Sequence, residues 1–125
     1  MRVLLDTQVL IQAYLGEPLP AKIQSILEDP DNERLLSAMS IIEIALKQAK
    51  NKIAMAEAET RQAAADLRLT LIPFAPQHAY RMFKLPTHHR DPFDRMLIAT
   101  ALVEGISIVS SDTQFKRYKG LSVLW

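Results

Sequence analysis

The sequence contains no cysteine. Disulfides and thiolate zinc sites are therefore excluded, and a cytoplasmic protein is the default expectation. Long hydrophobic runs are also missing. Although 49% of the residues are hydrophobic, no apolar stretch approaches membrane-spanning length. Met1-Arg2 leads into a short apolar run that meets Asp6, too short for the hydrophobic region of a signal peptide. Charge of one sign is lacking as well, since 15 Lys and Arg stand against 14 Asp and Glu for a net charge of +1. That balance neither argues for nor excludes nucleic acid. A polyanion site would have to come from local clusters: Lys47, Lys50 and Lys52, then Arg90 and Arg95, then Lys116, Arg117 and Lys119. Each cluster taken alone reads more readily as a solvated face. Internal repeats, low-complexity segments and linkers are absent, so residues 1–125 are expected to form a single domain with a real core.

What is present alternates. Short apolar runs with β-branched residues predict strands at Arg2–Leu5, Arg34–Ala38, Thr70–Phe74, Ile106–Ser110 and Leu121–Leu124. Helical patterns fall between them: one through Val9, Leu10, Ala13 and Tyr14, one from Pro18 to Leu27, and one opening at Ser40 and fading by Asn51. An alanine-rich helix follows at Met55–Leu69, then one from Pro76 through Phe83. Strands apolar on both faces and separated by helices point to a short, mainly parallel sheet in a three-layer α/β/α sandwich. In such folds ligands bind beyond the carboxyl ends of the strands, near the point where strand order reverses.

The stretch from His88 to Leu102 is the most informative. Asp91 is a good N-cap and Pro92 suits the first helical position. Leu97, Ile98, Ala101 and Leu102 form an apolar stripe, and Gly105 is suited to end the helix. Asp94 continues that stripe toward the helix start, so its carboxylate points at the body of the protein, where an unpaired charge is costly. Asp6 and Asp112 directly follow predicted strands. Glu43 and Asp94 sit in the predicted first turns of two helices. Four carboxylates from four segments could converge on one sheet edge. Such a cluster raises its own pKa values unless a cation neutralises it, and hard oxygen donors suit Mg²⁺ or Mn²⁺. Thr7 and Ser110 could orient ligands or waters. Each acid has a structural alternative: Asp6 and Asp112 as N-caps, Asp94 as a favourable charge on the helix dipole, and Glu43 as half of a capping box with Ser40 or the partner of Lys47. His78, His88 and His89 read as surface or structural residues, with RNA contact open to the latter two.

These motifs resemble the PIN-domain ribonucleases, specifically the VapC-like toxins of bacterial toxin–antitoxin pairs. The resemblance covers essentially the whole chain. It rests on Leu4-Leu5-Asp6-Thr7, on Ser40-Ile41-Ile42-Glu43-Ile44, on His89-Arg90-Asp91-Pro92-Phe93-Asp94-Arg95-Met96-Leu97-Ile98-Ala99, and on Ser110-Ser111-Asp112. The Asp-Pro-Phe-Asp-Arg segment is the most specific. The resemblance implies that Asp6, Glu43, Asp94 and Asp112 bind Mg²⁺ or Mn²⁺ in an endoribonuclease. It also implies a VapB-like antitoxin partner and a homodimer or toxin–antitoxin hetero-oligomer. Gln8 stands where this branch often has His, Asn51 where Gly commonly precedes Lys, and Ser110 where Thr is usual; none removes a ligand.

On this reading a metal-activated water hydrolyses the RNA backbone. Asp91 supports the site, and Arg90, Arg95 and His89 are candidates to contact RNA. Arg95 is as readily a salt-bridge partner of Asp91 or Asp94. Tyr14, Leu15, Leu19 and Ile23 offer an apolar groove for the antitoxin, or simply pack on the sheet. Two other classes compete with this reading. A non-catalytic α/β interaction module would use the acids only as caps. A phosphatase with Asp6 as nucleophile is disfavoured, because Gln8 stands where that motif needs a second Asp.

Overall fold

The apolar run Val3–Leu5, buried and preceded by exposed Arg2, makes Arg2–Leu5 into β1, the middle strand of a five-stranded sheet. The structure, a computed structural model, describes residues 1–125. The strands are β1, β2 (Glu33–Ser37), β3 (Thr70–Ile72), β4 (Ser107–Val109) and β5 (Val123–Leu124). Every pairing is parallel, and the order across the sheet is β3-β2-β1-β4-β5. The chain lays β2 and β3 on one side of β1, then returns to place β4 on the other. Strand order therefore reverses between β1 and β4, which opens a crevice at their carboxyl ends.

Six helices cover the sheet: α1 (Thr7–Tyr14), α2 (Ala21–Glu28), α3 (Ala38–Ala49), α4 (Glu57–Asp66), α5 (Pro76–Arg81) and α6 (Pro92–Glu104). Short 3-10 turns follow α5 at Met82–Lys84 and β4 at Thr113–Arg117. Side chains alternate across the strands. Leu4, Leu35 and Ile108 therefore project to one face, against Leu97, Ile98 and Ala101 of α6. Val3, Leu5 and Val109 project to the other, against Val9 of α1 and Ile23 and Leu27 of α2. A third cluster, with Leu10, Leu36, Ile44 and Met55, ties α1 and α3 to the sheet. Ile98 is fully buried, so truncation to Ala would cost about 2–5 kcal/mol. No helix is long and apolar enough to cross a membrane.

Several boundaries differ from the sequence expectation. α3 begins at Ala38, because Ser37 rather than Ser40 accepts the capping hydrogen bond, from the Met39 N–H at 3.2 Å. The Ser40–Glu43 capping box is therefore not formed, and Glu43 lies beyond the first turn. α2 starts at Ala21 with Pro20 at its cap, since Pro18 and Pro20 bias the residues before them, Glu17 and Leu19, toward extended backbone. α4 is shorter than its alanine-rich pattern; Met55 instead fills the core ahead of it. Ile23 is buried against the sheet, so it cannot line a docking groove, whereas Tyr14 and Leu15 are exposed. Asn51 takes the left-handed conformation, φ 57°, which its short polar side chain tolerates.

Candidate metal centre

Asp6 leaves the end of β1 and its backbone N–H still donates to the Val109 carbonyl, at 2.9 Å. That ladder bond fixes it at the β1/β4 crevice. Ser110, one residue past β4, donates its hydroxyl to Asp6 Oδ2 at 2.7 Å and accepts from the Asp112 N–H at 3.1 Å. One hydroxyl thus ties together two acids that are far apart in sequence. Asp94 comes from the first turn of α6, which Asp91 caps by accepting from the Phe93 N–H at 2.8 Å. Glu43 enters from α3, buried apart from its ion pair with Lys47 at 3.1 Å.

The electrostatics follow from this crowding. Burial is the main reason that the Asp6 carboxyl is raised above its ordinary value. Hydrogen bonds from Ser110 and Gln8 oppose the rise, and the charges of Glu43 and Asp112 add to it. Asp94 is pushed up to about 7, first by burial and then by Asp91, Asp6, Glu43 and Asp112. The four acids therefore feel one another's charge. Ligand atoms of His89, Asp94 and Asp112 lie within 4.8 Å of one another, close enough to share one ion.

The expected supporting residues divide. Ser110 touches Asp6 directly. Thr7 does not; its hydroxyl donates to Ser40 Oγ at 2.8 Å and locks α1 to α3. Asp91 serves as the α6 cap and as a nearby charge. Arg95 forms no salt bridge with Asp91 or Asp94 but donates to the Pro86 carbonyl at 2.8 Å, because it leans back over the loop before α6. Arg90 is exposed. His89 departs furthest from the expectation of a surface residue. Its side chain is 7% exposed and is not a free surface group for RNA. Nε2 lies 2.9 Å from Asp112 Oδ2 and Nδ1 lies 3.0 Å from the Tyr118 hydroxyl. Nothing in the sequence marks Tyr118 as a neighbour of the site, since its distance from His89 is spanned only by tertiary folding. His78 is structural, accepting from the Ala75 N–H and paired with Glu104.

A parallel sheet with acids gathered at its switch point defines an α/β protein with a carboxylate-rich site of the kind that fits a metal ion. The family model of the PIN domain matches residues 3–121, and the chain belongs to that family. PIN domains are generally nucleases. Among solved structures, the fold is similar to that of VapBC2 from Rickettsia felis bound to a DNA fragment from its promoter (TM-score 0.78, 18% identity, 99% of this chain and 98% of that chain). It is also similar to DNA-bound VapBC from Salmonella typhimurium (TM-score 0.73, 18% identity, 99% and 97%) and to FitAcB from Neisseria gonorrhoeae (TM-score 0.63, 21% identity, 98% and 96%). A comparison with the curated proteins gives no match.

Proposed function

We propose that this chain is a Mg²⁺- or Mn²⁺-dependent endoribonuclease, the toxin of a toxin–antitoxin pair, acting in the cytoplasm. The observation that carries the reading is Asp94, a carboxylate on the apolar stripe of α6 whose pKa of about 7 reflects burial among four other acids. Neither Asp94 nor Asp6 has a salt-bridge partner. The basic side chains that reach the four acids are Lys47, ion-paired with Glu43, and His89, hydrogen-bonded to Asp112. A divalent cation would relieve the repulsion, and carboxylate donors fit a hard ion such as Mg²⁺ or Mn²⁺. Capping alone is a poorer account. Asp6 and Asp112 do accept from the Gln8 and Gln114 N–H groups, but Asp94 and Glu43 cap nothing. The phosphatase reading lacks its second acid, because Gln8 is exposed at that position.

Asp6, Asp94 and Asp112 would hold the ion, which when bound supplies a water of lowered pKa and neutralises phosphoryl charge. Glu43, ion-paired with Lys47, would accept the proton of the attacking water. Ser110 keeps Asp6 and Asp112 in register. Arg90 would contact the RNA backbone as a point of charge. The full-length correspondence with chains solved as VapBC and FitAcB complexes supports a VapB-like antitoxin partner and a hetero-oligomer.

The test is cleavage of RNA by the purified chain, freed of any partner, with 5′ ends mapped. Specific cleavage should require Mg²⁺ or Mn²⁺ and vanish with EDTA and in Asp94→Asn. Specific cleavage that survives EDTA refutes the mechanism.

A further inference from the structure

We infer that His89 is a positioning residue for Asp112, itself set by Tyr118, so that Tyr118, His89 and Asp112 form a hydrogen-bonded relay behind the acid cluster. The inference rests on the metal-site reading above. His89 Nε2 is 2.9 Å from Asp112 Oδ2, and its Nδ1 is 3.0 Å from the Tyr118 hydroxyl. The imidazole has little freedom to leave. Phe115, fully buried, meets it edge-on at 4.8 Å, and the Tyr118 ring stacks on it at 5.5 Å and 26°. Tyr118 is in turn met edge-on by His88 at 4.9 Å.

The proton positions follow from the inventory of donors. An ionised Asp112 only accepts, so Nε2 carries the hydrogen. In the neutral ring Nδ1 is then a bare acceptor, and the Tyr118 O–H donates to it. Asp112 Oδ1 is already held by the Gln114 N–H at 2.9 Å. Both oxygens are thus pinned by one donor each, and each keeps a lone pair. That arrangement fixes the carboxylate's orientation. Outer partners that orient ligands in this way commonly change metal affinity or activity by 10–100-fold when removed.

Two arms test it. In the metal-free wild-type chain, ¹⁵N chemical shifts of His89 should identify Nε2 as protonated and Nδ1 as a bare acceptor; the opposite tautomer overturns the relay. In Mn²⁺ titrations by calorimetry, His89→Leu should weaken binding by on the order of tenfold. His89→Gln, whose amide N–H can take the place of Nε2–H, should restore binding to within a few-fold. Tyr118→Phe should fall between them. Equal loss in His89→Leu and His89→Gln, or no loss in either, overturns the proposal, as does loss of the Nε2 proton on adding Mg²⁺, which would make His89 a direct ligand. A wild-type chain that binds no Mn²⁺ and cuts no RNA refutes the metal-site reading instead, and the relay then stands or falls on the tautomer alone.

Discussion

Replacing Asp94 with Asn should make the metal-free protein more stable at high pH and indifferent at low pH. The perturbation removes one charge while keeping the shape, and it breaks no cap, because Asp91 caps α6. The Asp94 carboxyl is raised from 3.8 to about 7. The folded state therefore holds this proton more tightly than the unfolded state does. Stability that depends on the neutral form is fully present below the unfolded value and is lost as pH rises through about 7. Three pKa units correspond to about 4 kcal/mol. Asp94 is only half-buried, so solvent screening reduces this to about 1–2 kcal/mol. For a domain of this size that amounts to roughly 4–8 °C in Tm. Melts of parent and Asp94→Asn in EDTA from pH 4 to pH 8 should coincide at the acid end and separate by that amount at the alkaline end. Mg²⁺ at ten times its dissociation constant should then restore about 1.4 kcal/mol to the parent and much less to the variant. A variant destabilised equally at pH 5 and pH 8 in EDTA would show that the carboxylate makes favourable contacts in the folded state, and the reasoning fails.

Ser110→Ala removes the donor to buried Asp6 and the acceptor of the Asp112 N–H; urea unfolding should show a loss of about 1–3 kcal/mol, and RNA cleavage should fall with it. Ser37→Ala should cost about 1 kcal/mol as a lost N-cap in the same unfolding assay while the rate of cleavage per folded molecule stays as in the parent. Lys47→Met leaves Glu43 without its ion pair, so calorimetry should find Mg²⁺ bound a few-fold more tightly than by the parent.

The elements themselves were legible because strands, caps and helix ends are decided by residues within about one turn of each other. Alternating apolar runs predicted the parallel sheet, Asp91-Pro92 and Gly105 delimited α6, and the family motifs pointed to Asp6, Glu43, Asp94 and Asp112. The competition between Ser37 and Ser40 for the α3 cap was not legible, since both are local candidates and the end of β2 decides between them. Nor was the fate of His89, Arg95 or Ile23. His89 meets Asp112 and Tyr118 only because the loop before α6 lies against the turn after β4. Arg95 bends to the Pro86 carbonyl, and Ile23 turns inward because α2 packs its apolar side on the sheet. The chain order of the strands does not state that β4 returns beside β1. Only that return brings Ser110 within 2.7 Å of Asp6 across 104 positions, and with it the crevice in which the carboxylates crowd. Local sequence thus determined which side chains stand at strand ends and helix starts; the sheet's reversal determined which of them share one electrostatic field, because Coulomb and hydrogen-bond energies depend on distance in space and not along the chain.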